Sequence, residues 1–297
     1  MKPQRLQGRV AIVTGAGGGL GRTHALELAR HGARVVVNDL GADHVKGVAD
    51  EIRRAGGEAL AHAGDVTRPA DMDAMAALAA ATWGRVDILV NNAGILRDRS
   101  FAKMALDDFR QVLEVHVMGA VNATKAVWAL MQEQHYGRIV MTTSSSGLYG
   151  NFGQANYGAA KMALVGLMQT LALEGEKRNV RVNCLAPSAA TGMTDGVLPP
   201  DDLARLQPER VSPGLVALVD DDAPTRMILL AGAGSFECAH ITMTRGIFAG
   251  PWEGAAEQVC ARLGEVRERT GEVVPAQGWA QYRLELDKAA AAETTTP

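Results

Sequence analysis

The chain has 297 residues, of which 47% are hydrophobic and 21% charged, and it carries a formal net charge of −3 with a pI near 6.2. One α/β domain can fill this length, although two small domains would also fit. The weak negative charge gives no electrostatic reason to expect nucleic acid or an anionic membrane as a partner. No run of eighteen apolar residues is present, so no membrane-spanning helix is expected.

The three cysteines are Cys184, Cys238 and Cys260. They lack the spacing of a metal site, and their odd number argues against a disulfide framework. The N-terminal segment MKPQRLQGRV contains no apolar signal region. We therefore expect no metal, reduced thiols and a cytoplasmic location.

The chain begins with a pattern that is typical of a phosphate-binding turn. Val10 to Thr14 is a short β-branched run, glycines follow at Gly15, Gly19 and Gly21, and Leu20 to His31 has the pattern of a helix. Glycines allow backbone to approach a phosphate, and a helix N-terminus presents free N–H groups. A flexible glycine turn is the alternative, but the strand and helix on either side favour a pyrophosphate site.

Strand and helix patterns continue to alternate over residues 34–90, which predicts parallel strands with crossover helices. The second strand, Arg34 to Asn38, ends at Asp39. A carboxylate there can accept hydrogen bonds from the adenosine ribose and repels a 2′-phosphate, so NAD is favoured over NADP. A solvated loop acid is the alternative for Asp39. Further elements are expected at helix 43–55, strand 58–63, helix 69–82 and strand Val86 to Val90.

The glycine spacing, Thr14-Gly15-x-x-x-Gly19-x-Gly21, resembles that of the short-chain dehydrogenase/reductase family. Two later motifs are similar to those of the same family. Asp65-Val66 follows the third strand and matches the pair that contacts adenine, although Asp65 could equally cap a turn. Asn91-Asn92-Ala93-Gly94 ends the fourth strand. The resemblance implies that the cofactor is held by Gly15, Gly19, Leu20, Gly21, Asp39, Asp65, Val66, Asn92, Ala93 and Gly94.

Leu106 to Gln134 is predicted to be one long amphipathic helix. In this family the corresponding helix packs against its copy in another subunit. The resemblance therefore implies a homodimer or homotetramer, whereas a helix buried within its own subunit is the alternative.

The next strand, Arg138 to Thr143, leads to Ser144, and a helix from about Gln154 carries Tyr157 and Lys161. A spacing of four places the phenol and the ammonium on one helix face, where the positive charge favours the ionised phenol. In the family the matching serine, tyrosine and lysine are catalytic. They would hold the substrate oxygen, transfer its proton, and bind the nicotinamide ribose while lowering the tyrosine pKa. Ser145 and Ser146 are rivals of Ser144, and the thirteen-residue separation from Tyr157 selects Ser144.

Two segments depart from the family pattern. His116-Val117-Met118-Gly119 stands where the family has Asn-x-x-Gly, whose asparagine holds a relay water. His116 could hold that water or be purely structural. After strand 178–184, Ala186-Pro187-Ser188 lacks the usual glycine, and Pro187 and Thr191 are expected in a loop beside the nicotinamide. Residues 192–215 are rich in Pro, Asp and Gly, as in a mobile substrate lid.

A narrower resemblance is carried by Val37 to Gly41, Asn92 to Asp98 and Tyr149 to Tyr157. These stretches, with His116, are similar to one branch of the family, the (3R)-hydroxyacyl-CoA dehydrogenase domain of peroxisomal multifunctional enzyme type 2. The resemblance fades after about residue 213, and residues 246–297 are expected to be a C-terminal extension of a single dinucleotide-binding domain.

We therefore predict a Rossmann-type, doubly wound α/β fold with about seven parallel strands. The predicted activity is NAD-dependent oxidation of a secondary alcohol, with a (3R)-3-hydroxyacyl-CoA as the substrate. A hydroxysteroid or a steroid side-chain CoA ester is the alternative substrate. A dinucleotide-binding regulator without catalysis is the alternative of another class, against which intact Ser144, Tyr157 and Lys161 argue.

Overall fold

Short runs of Val, Ile and Ala, most of them buried along their whole length, alternate with helices through most of the chain. Such runs are typical of parallel strands covered by helices on both faces. The computed structural model describes residues 4–190, 199–250 and 253–295 and places the strands in one sheet of order 3-2-1-4-5-6-7-8. The strands are β1 (Val10–Val13), β2 (Arg34–Asp39), β3 (Ala59–Ala63), β4 (Ile88–Asn91), β5 (Gly137–Thr142), β6 (Val180–Ser188), β7 (Ile228–Gly232) and β8 (Ser235–Ala239).

The helices that connect these strands cover the sheet on its two faces. They are α1 (Gly19–Arg30), α2 (Ala42–Arg54), α3 (Pro69–Trp83), α4 (Leu106–Leu113), α5 (Gly119–Glu133), α6 (Ser145–Tyr149), α7 (Ala155–Gly175), α8 (Pro200–Arg205) and α9 (Ser212–Val219). The strand pairs from β1–β2 through β6–β7 are parallel, which confirms the predicted doubly wound α/β fold.

The strand order reverses beside β1. This strand pairs with β2 on one side and with β4 on the other, with Val13 opposite both Val37 and Val90. In open α/β sheets ligands bind at such a reversal, outside the carboxyl ends of the strands. The core beneath it is formed by fully buried Val13, Ile88 and Val140. Burial of each such side chain contributes about 1.5–3 kcal/mol, which holds the strand ends in a fixed arrangement.

The structure differs from the sequence prediction in three elements. The sheet has eight strands rather than about seven, because Ser235–Ala239 adds one at the edge. Strand β6 continues to Ser188, so Ala186-Pro187-Ser188 pairs with Leu230–Gly232 instead of forming a loop. The long helix predicted from Leu106 is interrupted at Glu114–Met118 by a π-helical turn, in which Gly119 N–H donates to the Glu114 carbonyl.

The chain divides into two compact units, Met1–Cys238 and Ala239–Pro297. The second unit contains α10 (Ala255–Ala261), α11 (Leu263–Val266) and α12 (Trp279–Thr295), and Met243 and Val273 form an antiparallel bridge within it. None of the helices in the described residues has the length and apolarity that crossing a bilayer requires.

Candidate active site

A cleft of about 960 Å³ lies outside the carboxyl ends of the central strands. The residues that line it come from the β1–α1 turn, the ends of β2, β4 and β5, and the helices α4 and α7. They include nearly every residue that the sequence motifs indicated: Gly15, Gly19, Leu20, Gly21, Asp39, Asp65, Val66, Asn92, Ala93, Gly94, His116, Tyr157, Lys161 and Pro187. Thr191 lies outside the described residues, as do residues 192–198 of the segment 192–215 that was predicted to be a lid.

The β1–α1 turn requires glycine at three positions, Gly15, Gly19 and Gly21. Gly15 and Gly19 have φ angles of +62° and +50°, a conformation that is strained for a residue with a side chain. A Cβ on Gly21 would lie 2.1 Å from the Gly15 carbonyl oxygen. Helix α1 then begins without a side-chain cap and without an acidic residue in its first turn. Its N–H groups and positive dipole end therefore face the cleft, which fits a bound pyrophosphate.

A hydroxyl and an amide lock this turn to the end of β4. Thr14 Oγ1 accepts hydrogen bonds from the backbone N–H groups of Asn92 and Ala93, at 3.1 and 3.2 Å. Asn92 Nδ2 donates to the carbonyls of Thr14 and Gly15, at 3.0 and 3.1 Å. The two strand ends that flank the sheet's reversal are thus held together, and the Asn-Ala-Gly motif acts through backbone contacts.

Asp39 lines the cleft beside the glycine turn. Its Oδ2 accepts from Gly17 N–H at 3.0 Å and its Oδ1 accepts from Leu40 N–H at 2.7 Å. The carboxylate is therefore fixed beside the glycine turn rather than solvated freely. Asp65 Oδ1 accepts from both the N–H and the hydroxyl of Thr67 at 2.8 Å, so this residue caps a turn while it lines the cleft.

Tyr157 and Lys161 line the other end of the cleft, and the Ser144 hydroxyl interacts with the Tyr157 phenol behind them. Strand β5 delivers Ser144, whose hydroxyl caps α6 by accepting from Ser146 N–H at 3.2 Å. The Lys161 ammonium lies 5.4 Å from the Tyr157 ring centre and donates to the Thr142 carbonyl at 2.6 Å. Thr143 Oγ1 donates to the Lys161 carbonyl at 2.7 Å, which joins α7 to β5.

Burial is the largest cause of the pKa shifts of Tyr157 and Lys161. Burial raises the pKa of the Tyr157 phenol, and the interaction with the Ser144 hydroxyl opposes that rise. Burial also lowers the pKa of Lys161 to about 7. The net shift of the Tyr157 pKa is upward, because desolvation of the phenol outweighs the interaction with Ser144. The lowering of the tyrosine pKa by Lys161 stays a prediction.

His116 lies in the π-helical turn and contacts Tyr157. Their rings are perpendicular with centres 5.3 Å apart, and His116 Nε2 is 2.8 Å from the Ile95 carbonyl oxygen. Burial, followed by the charge of Lys161, lowers its pKa to about 3, so the imidazole is neutral. Its Nδ1 is buried and has no hydrogen-bond partner among the described residues.

Several cleft residues were not indicated by any motif. Arg110, Gln111 and Glu114 line the wall formed by α4 and the π-helical turn that follows it, and Thr142 lines the floor. Thr142 could have been inferred, because it ends the strand that leads to Ser144. The α4 residues could not, because the approach of a helix face to a cleft depends on tertiary packing.

The sequence profile of the short chain dehydrogenase family matches residues 9–200. The chain belongs to this family, and it is a dehydrogenase that uses a nicotinamide dinucleotide and acts on a small molecule. The arrangement at the sheet's reversal, with the glycine turn at one end and Tyr157 and Lys161 at the other, is consistent with that assignment.

Three relatives narrow the comparison. The chain is 45% identical over 250 residues to peroxisomal multifunctional enzyme A of Dictyostelium discoideum, which covers 81% of this chain and 56% of that protein. It is 50% identical to mouse peroxisomal multifunctional enzyme type 2, and the match covers 71% of this chain and 30% of the mouse protein. A Mycobacterium tuberculosis protein named as a short-chain type dehydrogenase/reductase is 43% identical, covering 90% and 96%. The chain thus spans about half or less of the multifunctional relatives.

Two solved structures have the same fold. Full-length multifunctional enzyme type 2 from Drosophila melanogaster superimposes with a TM-score of 0.81 and 36% identity, covering 95% of this chain and 49% of that one. A 7α-hydroxysteroid dehydrogenase bound to NADH and 7-oxo glycochenodeoxycholic acid has a TM-score of 0.73 and 33% identity, covering 78% and 96%. The predicted likeness to the dehydrogenase part of multifunctional enzyme type 2 is confirmed.

Proposed function

We propose that this dehydrogenase oxidises a (3R)-3-hydroxyacyl-CoA to the 3-oxoacyl-CoA with NAD. The observation that carries the proposal is the Tyr157 phenol, held beside Ser144 and Lys161 in the same cleft as the glycine turn. The choice of acyl-CoA is supported by the likeness to the multifunctional enzymes and by the segment Tyr149 to Tyr157 that resembles them.

The residues have distinct roles in this proposal. Ser144 donates a hydrogen bond to the substrate oxygen, and Tyr157 takes the hydroxyl proton as the carbonyl forms. A nicotinamide held in the cleft would supply the hydride-accepting chemistry. Lys161 holds the nicotinamide ribose and, through its charge, favours the phenolate. We also propose that His116 Nδ1 holds a water that connects Lys161 to solvent, because this neutral, buried nitrogen has no partner among the described residues.

NAD is proposed over NADP because the Asp39 carboxylate is fixed at the end of β2. Both of its oxygens accept backbone N–H groups, so the negative charge cannot move away from a 2′-phosphate. Repulsion between two anions at that point disfavours NADP. The backbone around Gly15, Gly19 and Gly21 would hold the pyrophosphate, and Asp65, Val66, Asn92 to Gly94, Pro187 and Thr191 would contact the remaining parts of the cofactor.

A hydroxysteroid is the second candidate substrate. It is favoured by the structural likeness to the 7α-hydroxysteroid dehydrogenase, whose ligand is a bile acid derivative. Both candidate substrates present a secondary alcohol to the Tyr157 phenol. They differ in the group that carries the alcohol, which is an acyl-CoA in one case and a steroid in the other.

Assembly and location complete the proposal. We propose a homodimer or homotetramer formed through the helical segment from Leu106 to Glu133, on which Leu106 and Met118 are exposed. We propose a cytoplasmic location, consistent with exposed Cys238 and Cys260. Size-exclusion chromatography with light scattering measures the oligomeric state, and elution as a monomer at micromolar concentration would contradict the proposed oligomer.

Localisation of the tagged protein in cells tests the cytoplasmic location, and enclosure within an organelle would overturn it.

The substitution Tyr157→Phe tests the mechanism. The variant loses the proton acceptor, so turnover of (3R)-3-hydroxybutyryl-CoA should fall by at least about a hundredfold, the lower range for general acid–base groups. NAD binding, followed by quenching of protein fluorescence, should persist within a few fold. Retention of turnover within a few fold would contradict the proposed role of Tyr157.

The same assay separates the substrates and cofactors. Formation of NADH or NADPH by the wild type is compared for hydroxyacyl-CoA esters and hydroxysteroids, each with NAD and with NADP. Turnover of the steroids alone would refute the acyl-CoA proposal. A preference for NADP would refute the role given to Asp39.

A further inference from the structure

A short turn beside the catalytic cleft combines positive charges with an exposed aromatic ring. We define the cationic turn as Arg97–Lys103, which reads Arg-Asp-Arg-Ser-Phe-Ala-Lys. Arg97, Arg99 and Lys103 are exposed, and the Phe101 side chain is 76% exposed. Exposure of one large apolar ring is ordinary, but a ring flanked by cations is the chemistry that binds a phosphorylated base.

The cationic turn is attached to the segment that carries Tyr157. Arg99 N–H donates to the Gly153 carbonyl, and Asn156 Nδ2 donates to the Arg97 carbonyl, both at 2.9 Å. Gln154 Nε2 donates to Asp98 Oδ2 at 2.7 Å. These three bonds join the cationic turn to the segment 153–156, which immediately precedes Tyr157. They fix the turn at the entrance of the cleft, which Arg97 also lines.

The charges of the turn are only partly neutralised. Asp98, its one acid, is engaged by Gln154, and Arg97 is 3.8 Å from Asp108. No residue in the described ranges forms an ion pair within 4.0 Å with Arg99 or Lys103. Arg110, on the neighbouring helix α4, is already paired with Asp107 at 2.8 Å. Two unpaired cations therefore flank Phe101 on a turn that backbone bonds hold in place.

We propose that the cationic turn binds the phosphorylated adenosine of the substrate's CoA group. Arg99 and Lys103 contact its phosphates and Phe101 stacks on the adenine, while the acyl end reaches Tyr157. Arg99 and Lys103 are thus specificity-determining residues that distinguish a CoA ester from a smaller ester or a steroid. This inference rests on the proposed acyl-CoA function and adds the part of the protein that recognises CoA.

The phosphates could come from CoA or from the dinucleotide, because both would approach the same cleft. The two sources are separated by the Michaelis constants. If the turn serves CoA, neutralising it changes KM for the CoA ester and leaves KM for NAD unchanged. If it serves the dinucleotide, KM for NAD rises instead, which would overturn the inference.

The experiment compares two substrates that share the acyl group. One is (3R)-3-hydroxybutyryl-CoA, and the other is its N-acetylcysteamine thioester, which has no phosphate and no adenine. The Arg99→Gln/Lys103→Gln variant should lose about tenfold in kcat/KM for the CoA ester, as expected for two partly exposed charge-assisted contacts. Its kcat/KM for the truncated thioester should stay within about twofold. Phe101→Ala should show the same pattern with a smaller loss.

Lys177→Gln is the matched control, because Lys177 is an exposed lysine just before β6, at the opposite edge of the sheet. It should leave both thioesters unaffected. An equal loss on both substrates, or no loss on the CoA ester, would overturn the inference while leaving the proposed oxidation intact. Failure of the wild type to oxidise either thioester would refute the proposed function, and this inference with it.

Discussion

The imidazole of His116 is enclosed between a glycine and the reactive phenol. A Cβ on Gly94 would lie 2.2 Å from His116 Cε1, and the Tyr157 ring meets the imidazole edge on. Because burial lowers its pKa to about 3, the ring is neutral near pH 7. It can therefore accept or donate one hydrogen bond per nitrogen, but it cannot supply an imidazolium proton.

Substitutions of His116 distinguish a relay from a packing role. His116→Asn keeps a polar group, and we expect kcat to remain within about fivefold of the wild type. His116→Ala removes it, and kcat should fall by about tenfold or more, because a positioned proton-transfer group contributes at least that much. The KM for NAD should change little in either variant. Wild-type kcat in His116→Ala would contradict the relay, and the melting temperature of each variant controls for folding.

At the residue scale, prediction from the sequence was most effective at strand ends. Gly15, Asp39 and Asn92 each lie at the carboxyl end of a strand or within two residues of it, so the parallel sheet brings them to one edge. Interactions that cross the fold were not predictable. Examples are the Thr14 hydroxyl that binds the end of β4 and the Lys161 ammonium that binds the Thr142 carbonyl.

Helices α1 and α9 are joined by a buried polar contact. His24 Nδ1 is 2.8 Å from Ser212 Oγ, which in turn donates to Thr23 Oγ1 at 3.2 Å. His24 is fully buried, and burial lowers its pKa from 6.5 to about 4. Helix α1, whose N-terminus faces the cleft, is thereby tied to α9.

This contact should make the protein sensitive to acid. Below pH 6.5 the unfolded chain binds a proton at His24 that the folded chain does not bind until about pH 4, so stability falls as the pH falls through that range. Between pH 7 and pH 5 the loss from this group is about 2 kcal/mol. Urea unfolding should show that the free energy of unfolding falls less between pH 7 and pH 5 in His24→Gln than in the wild type. The exposed His240→Gln should behave like the wild type, and an unchanged pH dependence in His24→Gln would contradict the assignment.

The π-helical turn at Glu114–Met118 shows the limit of prediction for an element. The residues Glu-Val-His-Val-Met include neither proline nor glycine, so nothing in them signals an interruption of the helix. The turn instead accompanies tertiary contacts of His116 with Ile95 and Tyr157, which lie far away in sequence. The prediction of a helix across 106–134 was therefore right about helical structure and wrong about its continuity.

The carboxyl and amino ends of the strands differ in the residues that they carry. The carboxyl edge carries the cleft, whereas a network of charges stabilises the amino edge around Arg138, which is only 1% exposed. Its guanidinium donates to the carbonyls of Asp220, Asp221 and Asn179, and it stacks on Tyr136 at 4.2 Å. This network holds the end of α9 against the start of β5.

Arg138→Met should separate stability from catalysis. The substitution leaves several buried carbonyls without a donor, so the free energy of unfolding should fall by about 3 kcal/mol. The kcat per folded molecule should not change, because the network lies at the edge opposite Tyr157. Denaturant unfolding and steady-state kinetics measure the two quantities. The exposed Arg54→Met is the control, and a parallel loss of kcat in Arg138→Met would refute the separation.

At the scale of the whole molecule, alternation of buried runs with amphipathic segments was sufficient to predict the doubly wound sheet. The eighth strand, Ser235–Ala239, lies within the segment Ser235 to Thr244 that the sequence indicated as an added strand, and four of its five residues are exposed. The C-terminal unit could be predicted less well, because α12 is largely exposed and has no single buried stripe.

The bond from Gly119 N–H to the Glu114 carbonyl spans five residues instead of four. It therefore inserts one residue into the helical path and turns everything after it by about 100° around the axis. Deleting a single residue between Leu113 and Gly119 should remove that offset and rotate α5 out of phase with the cleft. A relative whose helix is regular here should accordingly be one residue shorter between the Asn-Ala-Gly motif and the strand that precedes the catalytic serine. Chain length between these two landmarks thus becomes a marker of which members of the family place a side chain where His116 lies.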